Sequence, residues 1–120
     1  MADKLLVKVT AGADDPERCN MGFTVAAAGV TSGVPVSLWL TGEAAWFAVP
    51  GRAADLELAE ATPLDDLLRL VLDGGTVTVC TQCAIRRNLE EPDVIEGVRF
   101  AGAATFVEEA LADGTQALVY

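Results

Sequence analysis

The sequence predicts an α/β domain: a mainly parallel sheet of four to five strands with helices on both faces, flavodoxin-like in its layering. Three observations carry that expectation. Short runs rich in branched apolar residues alternate with segments whose apolar residues recur at three- and four-residue spacing. The strand segments are nearly continuous in apolar character, which suits strands covered on both sides. At 120 residues, 52% hydrophobic and 22% charged, the chain has material for one core and no more.

Element by element, Lys4–Thr10 (KLLVKVT) is the first strand and Ala11–Asp15 a loop. Asp15 is placed to cap a helix whose first position is Pro16. From there Cys19, Phe23, Ala26, Ala27 and Val30 mark one buried stripe, and Gly33 stops the helix near its end. Pro35–Thr41 (PVSLWLT) is the second strand. Gly42–Arg52 is a loop holding one helical turn, followed by an acidic stretch to Ala61. Thr62 is the expected cap of a helix that starts with Pro63, carries Asp65 in its first turn and buries Leu64, Leu67, Leu68 and Val71. Gly74 and Gly75 end it.

Thr76–Cys80 (TVTVC) is the third strand and runs straight into an expected helix over Thr81–Leu89. Val94–Gly102 reads as irregular or partly extended, Ala103–Ala112 as the last helix, and Gln116–Tyr120 as the strand that closes the sheet. Residues 1–120 thus read as one doubly wound domain.

Charge and composition narrow the function. Eighteen acidic against eight basic residues leave a net charge of −10, which repels phosphate backbones and anionic lipid. No nucleic-acid or membrane partner is expected. The chain has no histidine, which removes the Ser-His-Asp triad, the Cys-His dyad and His-based metal sites together. Leu5–Val9 is too short for a signal-peptide core, and Met21–Leu40 is broken by Gly29, Gly33 and Pro35. Three cysteines without a secretory signal point to a reducing, cytoplasmic setting rather than a disulfide scaffold.

Ligands of an open α/β sheet bind beyond the carboxyl ends of its strands. Here that edge is met by Ala11–Glu17, Gly42–Phe47 and Cys80–Arg87. The strongest feature is Cys80, the last residue of a buried strand at the start of a helix, where unpaired N–H groups favour a thiolate without help from histidine. Cys83 sits one helical turn on, so the two sulfurs can face one another as a disulfide pair or a sulfur handover; two small inert thiols are the plain alternative. Arg86 and Arg87 lie roughly 9–10 Å further up the helix axis and are expected to shape the rim or a subunit contact.

Zinc fails on counting, since a structural site wants four Cys or His ligands and the chain has three cysteines. No zinc site within one chain is therefore expected, a site shared between subunits being the remaining alternative. Cys19 reads as a core residue, although its helix begins at the same sheet edge and its thiol could approach Cys80. The first loop, with Ala11 and Gly12, lacks a Gly-x-Gly-x-x-Gly and carries Asp14 and Asp15 where an anion would sit, which disfavours nucleotides and flavins. Glu43 and Trp46 are candidate pocket residues, each with a plain reading as a helix-start acid or a packing residue.

Several of these segments together resemble a known family. Asp15-Pro16-Glu17-Arg18 opens the first helix, Gly33 and Val36 lead the second strand, and Thr76–Cys80 runs into Arg86-Arg87. With Val94-Ile95-Glu96-Gly97-Val98 and a short final strand, the chain is similar over nearly its whole length to the DsrE/DsrF-like family. That family includes the sulfur-relay subunits of sulfur oxidation and tRNA thiolation. The resemblance implies a flavodoxin-like α/β sandwich assembled as a homotrimer or homohexamer, with a persulfide carried on the cysteine matching Cys80. It also implies no metal or organic cofactor, a sulfur donor protein and an acceptor protein. Cys83 is an addition relative to relay subunits with one cysteine here, and some branches of the family have no assigned activity.

Three readings follow. Cys80 attacks a donor persulfide and passes the sulfur on, as a persulfide carrier or sulfurtransferase. Alternatively the chain is a non-catalytic oligomeric interaction module, drawing on Trp39, Trp46 and Phe47 near the sheet edge. The third is a Cys80/Cys83 dithiol redox protein.

Overall fold

A computed structural model describes residues 2–120. The chain lays down β1 (Lys4–Val9), α1 (Pro16–Thr31), β2 (Val36–Leu40), α2 (Leu64–Gly74) and β3 (Thr76–Cys80). The short helix α3 (Thr81–Arg86), β4 (Arg99–Ala101), α4 (Ala103–Leu111) and β5 (Thr115–Val119) follow. All strand pairings are parallel, in the order β4-β3-β2-β1-β5. From β1 to β4 each crossover steps the same way, then the chain returns past the whole sheet to place β5 beyond β1. Because crossovers are right-handed, a step in the reverse direction puts its helix on the opposite face. Hence α1 and α2 share one face and α4 holds the other.

Strand alternation assigns the side chains. Val7 and Val9, Leu38 and Leu40, Val77 and Val79 point toward α1 and α2 into a dry core with Phe23, Leu64, Leu68 and Val71. Gly74 lets those two helices approach closely, since a Cβ there would lie 2.4 Å from Val30 Cγ1. On the other face stand Leu6, Lys8, Ser37, Trp39, Thr78 and Cys80. Trp39 packs edge-on against Phe106 of α4, with ring centroids 5.3 Å apart.

The local signals act largely as the sequence implies. Asp15 accepts the Arg18 N–H at 3.3 Å, Pro16 occupies the first turn, and α1 buries Cys19, Phe23, Ala26 and Ala27. Gly33, just past the helix, takes a left-handed φ of +80°, which costs glycine little.

Four details differ. Thr62 does not cap α2: Pro63 stands at the cap position, and the Thr62 carbonyl instead accepts from Asn20 Nδ2 at 3.0 Å. Gly42–Ala48 winds as a seven-residue 3₁₀ segment rather than a loop with a single turn. Helix α3 ends at Arg86, short of Leu89, because the chain turns off through Asn88 at φ +56°. Within the irregular stretch, Arg99–Ala101 pairs with Thr78–Cys80 as an edge strand.

The α4 face is thinly covered. None of the described residues of α4 is fully buried, and Val107, Leu111 and Val119 are 51%, 78% and 64% exposed. A polar clamp holds α4 down. Glu109 accepts from Ser37 Oγ at 2.6 Å and from Trp39 Nε1 at 3.3 Å, and pairs with Arg99, which also donates to Thr78 Oγ1 at 2.8 Å. Burial alone would raise the Glu109 carboxyl, but Ser37, Arg99 and Trp39 outweigh it and hold it below its ordinary value. No described helix is long and apolar enough to cross a membrane.

Candidate functional site

The three loops expected at the carboxyl edge of the sheet meet at Gly42 and Glu43. Gly42 follows β2 with φ +53°, and a Cβ there would lie 2.7 Å from the Thr10 carbonyl oxygen, so the turn can pass close beneath the end of β1. Gly12 fits against the Glu43 backbone, where a Cβ would come 2.6 Å from the carbonyl oxygen. On the other side, the Gly42 N–H donates to Cys83 Sγ at 3.2 Å. The Arg87 guanidinium reaches Glu43 Oε2 at 2.7 Å and 3.2 Å and donates to the Cys83 carbonyl at 3.1 Å. One turn of backbone thus ties the first loop, the 3₁₀ segment and α3 into a frame.

Cys80 stands at the edge of that frame. It is the last residue of β3 and the residue from which α3 starts. Its side chain is half-buried and, by alternation along β3, lies on the α4 face with Thr78. Burial raises its pKa, but the N–H and thiol of Cys83, the Gln82 N–H and the Lys8 charge outweigh it, and the thiol ends below its ordinary value of 9.0. Lys8 is half-buried on the same face, its Nζ 4.9 Å from the centroid of Phe106. What results is a partly exposed thiol whose ionised form is favoured by its surroundings, with a second thiol one turn away.

The remaining candidates divide. Cys83 is 8% exposed and lies directly against this frame. Arg87 and Glu43 build the rim, while Arg86 is exposed beside it. Ala11 is buried and Gly12 serves the loop contact, neither of them offering a side chain for chemistry.

Trp46 turns the other way. Its ring stacks on the Arg52 guanidinium 4.5 Å away and lines a cavity of about 330 Å3 with Ala13, Glu43, Phe47 and Asp55, to which neither Cys80 nor Cys83 contributes. Cys19 is not part of the site. It is fully buried on the α1 side of the sheet, and burial with the nearby charges of Asp14 and Asp15 pushes its thiol up to about 12. Trp39 and Phe47 are also unavailable as contact residues on this chain's surface, being 1% and 4% exposed. Among the described residues no group of three or more His, Cys, Asp or Glu side chains could hold a metal ion.

Two contributors escaped the sequence reading. Gly42 was legible only as a loop residue, although a glycine directly after a buried strand signals a tight backbone approach. Lys8 is a cation within an apolar strand, a signal the sequence carries, but the thiol it acts on lies in another strand.

Comparison with known proteins places the arrangement. The sequence model described as the DsrE/DsrF-like family matches residues 3–120. No curated protein sequence matches the chain. Among solved structures, the ychN protein of E. coli is 17% identical with a TM-score of 0.81 over 100% of both chains. The protein MTH1491 of Methanobacterium thermoautotrophicum, of unknown function, is 12% identical with a TM-score of 0.69 over 98% of both chains. The protein BT1422 of Bacteroides thetaiotaomicron, also of unknown function, is 19% identical with a TM-score of 0.61 over 98% of this chain and 95% of that one. At these identities the likeness speaks for the fold.

Proposed function

This chain belongs to the DsrE/DsrF-like family, and we propose that within it the protein is a persulfide carrier of the sulfur-relay kind, loading and unloading at Cys80. The observation that carries the reading is the setting of that one thiol. It is partly exposed at the strand-to-helix junction, with the Gln82 and Cys83 amides and the Lys8 charge favouring its thiolate. In loading, the thiolate attacks the outer sulfur of a donor persulfide. A Cys80–S–SH forms, the donor sulfur–sulfur bond breaks, and the donor leaves as its thiolate. Unloading is the same exchange with an acceptor thiolate as the attacking group. The reaction class is sulfurtransfer, and the chemistry resides in sulfur itself with no metal or organic cofactor.

The same groups that favour the thiolate also suit the persulfide anion, whose negative charge occupies nearly the same place. Sulfur donor and acceptor proteins are the partners, and three free thiols suit a reducing, cytoplasmic compartment. Intact mass spectrometry after brief exposure to a small persulfide donor, quenched by alkylation, tests this. One added sulfur on Cys80 is expected, and a Cys80→Ser chain that loads as well as the wild type would contradict it.

The exposed apolar residues of α4 and β5 favour self-association as an accompanying property. Val107, Leu111 and Val119 lie together on the thin face, and a homotrimer or homohexamer would remove them from water. A solution mass measured by light scattering tests that, a monomer at high concentration being the contrary result.

A further inference from the structure

Cys83 has no part in a one-cysteine carrier, yet both its sulfur and its backbone are held by the site. Its sulfur accepts the Gly42 N–H at 3.2 Å, its carbonyl is bound by Arg87 at 3.1 Å, and Arg87 is itself fixed to Glu43. It lies one turn from Cys80 across the start of α3, a spacing that sets the two Cα atoms about 5–6 Å apart, within the range a disulfide needs. The two thiols also differ in burial, since Cys80 is only partly buried and Cys83 is buried at 8% exposed. A donor can therefore meet Cys80 more readily than Cys83, which is sheltered yet close enough for its thiol to act on Cys80.

We propose that Cys83 is a resolving thiol that discharges the Cys80 persulfide as hydrosulfide, so that the site can reduce sulfane sulfur as well as carry it. The proposal rests on the persulfide reading of Cys80. In the step, the Cys83 thiolate attacks the inner sulfur of Cys80–S–SH. A Cys80–Cys83 bond forms, the bond to the outer sulfur breaks, and that sulfur leaves as hydrosulfide with the bonding pair. The two cysteine sulfurs are oxidised together by two electrons, and the outer sulfur takes them up. No other oxidant enters. The Gly42 N–H, 3.2 Å from Cys83 Sγ, holds that sulfur in place for the attack, and an external dithiol returns the pair to its reduced form by ordinary thiol–disulfide exchange. A Cys-x-x-Cys at a strand-to-helix junction of a parallel sheet suits such a couple on general grounds.

The test uses wild-type protein, Cys83→Ser and Cys80→Ser, reduced, freed of reductant and kept without oxygen. Serine retains a hydroxyl to accept from Gly42 and to donate toward Cys80. Each chain is loaded with inorganic polysulfide, desalted, and followed by intact mass and by hydrosulfide release.

The wild type is expected to lose its added sulfur, release one hydrosulfide per chain and become two hydrogens lighter than the reduced form. A peptide linked through Cys80 and Cys83 should then be recoverable, a readout that needs no substitution. Cys83→Ser should hold its added sulfur roughly tenfold longer or more, without releasing hydrosulfide. If the wild type keeps its sulfur as long as Cys83→Ser and yields no linked peptide, the resolving role is overturned while the carrier role stands. If neither the wild type nor Cys83→Ser takes up sulfur, the carrier reading falls and this one with it.

Discussion

On one face of the sheet, Val7, Val9, Leu38, Leu40, Val77 and Val79 meet two helices of sixteen and eleven residues; on the other, a single nine-residue helix stands against five strands. The same residue type fares differently on the two sides. Cys19, under α1, is sealed in hydrocarbon with two carboxylates nearby, and its thiol is pushed up to about 12. Cys80, on the α4 face, keeps partial access to water and gathers amides and a lysine, and its thiol falls below the ordinary value. What separates the raised thiol from the lowered one here is which face of the sheet each stands on. A face left thin by topology leaves room for charge.

The difference is sharpest in stability. Phe23→Ala empties a fully buried site on the thick face, where Phe23 also packs edge-on against Phe47 at 6.1 Å. A loss of about 3–5 kcal/mol is expected in urea unfolding.

On the thin face Glu109→Gln should cost about 1–3 kcal/mol, because Arg99 loses its ion partner and Ser37 and Trp39 lose a charged acceptor. That variant should also change the pH profile. The Glu109 pKa is depressed on folding, so its contribution is complete above the ordinary value of 4.5 and fades as pH falls through the lowered one. Glu109→Gln should remove that part of the acid limb in a series of unfolding curves.

Val107→Ser, half-exposed on α4, should leave the fold within about 0.5 kcal/mol yet lower the solution mass of any assembly. Equal losses from Phe23→Ala and Val107→Ser would erase the contrast between the faces. The smallest effect is expected from Lys8→Gln, which should raise the pH at which Cys80 becomes reactive and leave unfolding nearly unchanged. Peptide-resolved alkylation measures it.

Much of the fold was legible because strands such as Lys4–Thr10 and Thr76–Cys80 are rich in branched apolar residues and bounded by loops or glycine. The stripe of α1 and the Asp15–Pro16 start were equally plain. Edge strand β4 was not, because three residues led by an arginine carry no pattern and owe their extension to pairing with β3. The Thr62 cap failed because Pro63 takes the cap position and Asn20, 42 residues away, claims the Thr62 carbonyl.

At the site, the strand-end position of Cys80 and the spacing to Cys83 could be read directly. The parity that sends Cys19 and Cys80 to opposite faces could not, since it depends on how α1 lies across the strands. Nor could the Gly42 contact to Cys83, which joins residues 41 apart.

The account stands on the ionisation of one thiol, and the pH dependence of Cys80 alkylation in the reduced wild type, resolved by peptide mass, reads it directly. A midpoint below 9.0, with Cys19 unreactive in the folded protein, is the predicted result. A Cys80 midpoint at or above 9.0, or a Cys19 that reacts as readily as Cys80, would contradict it.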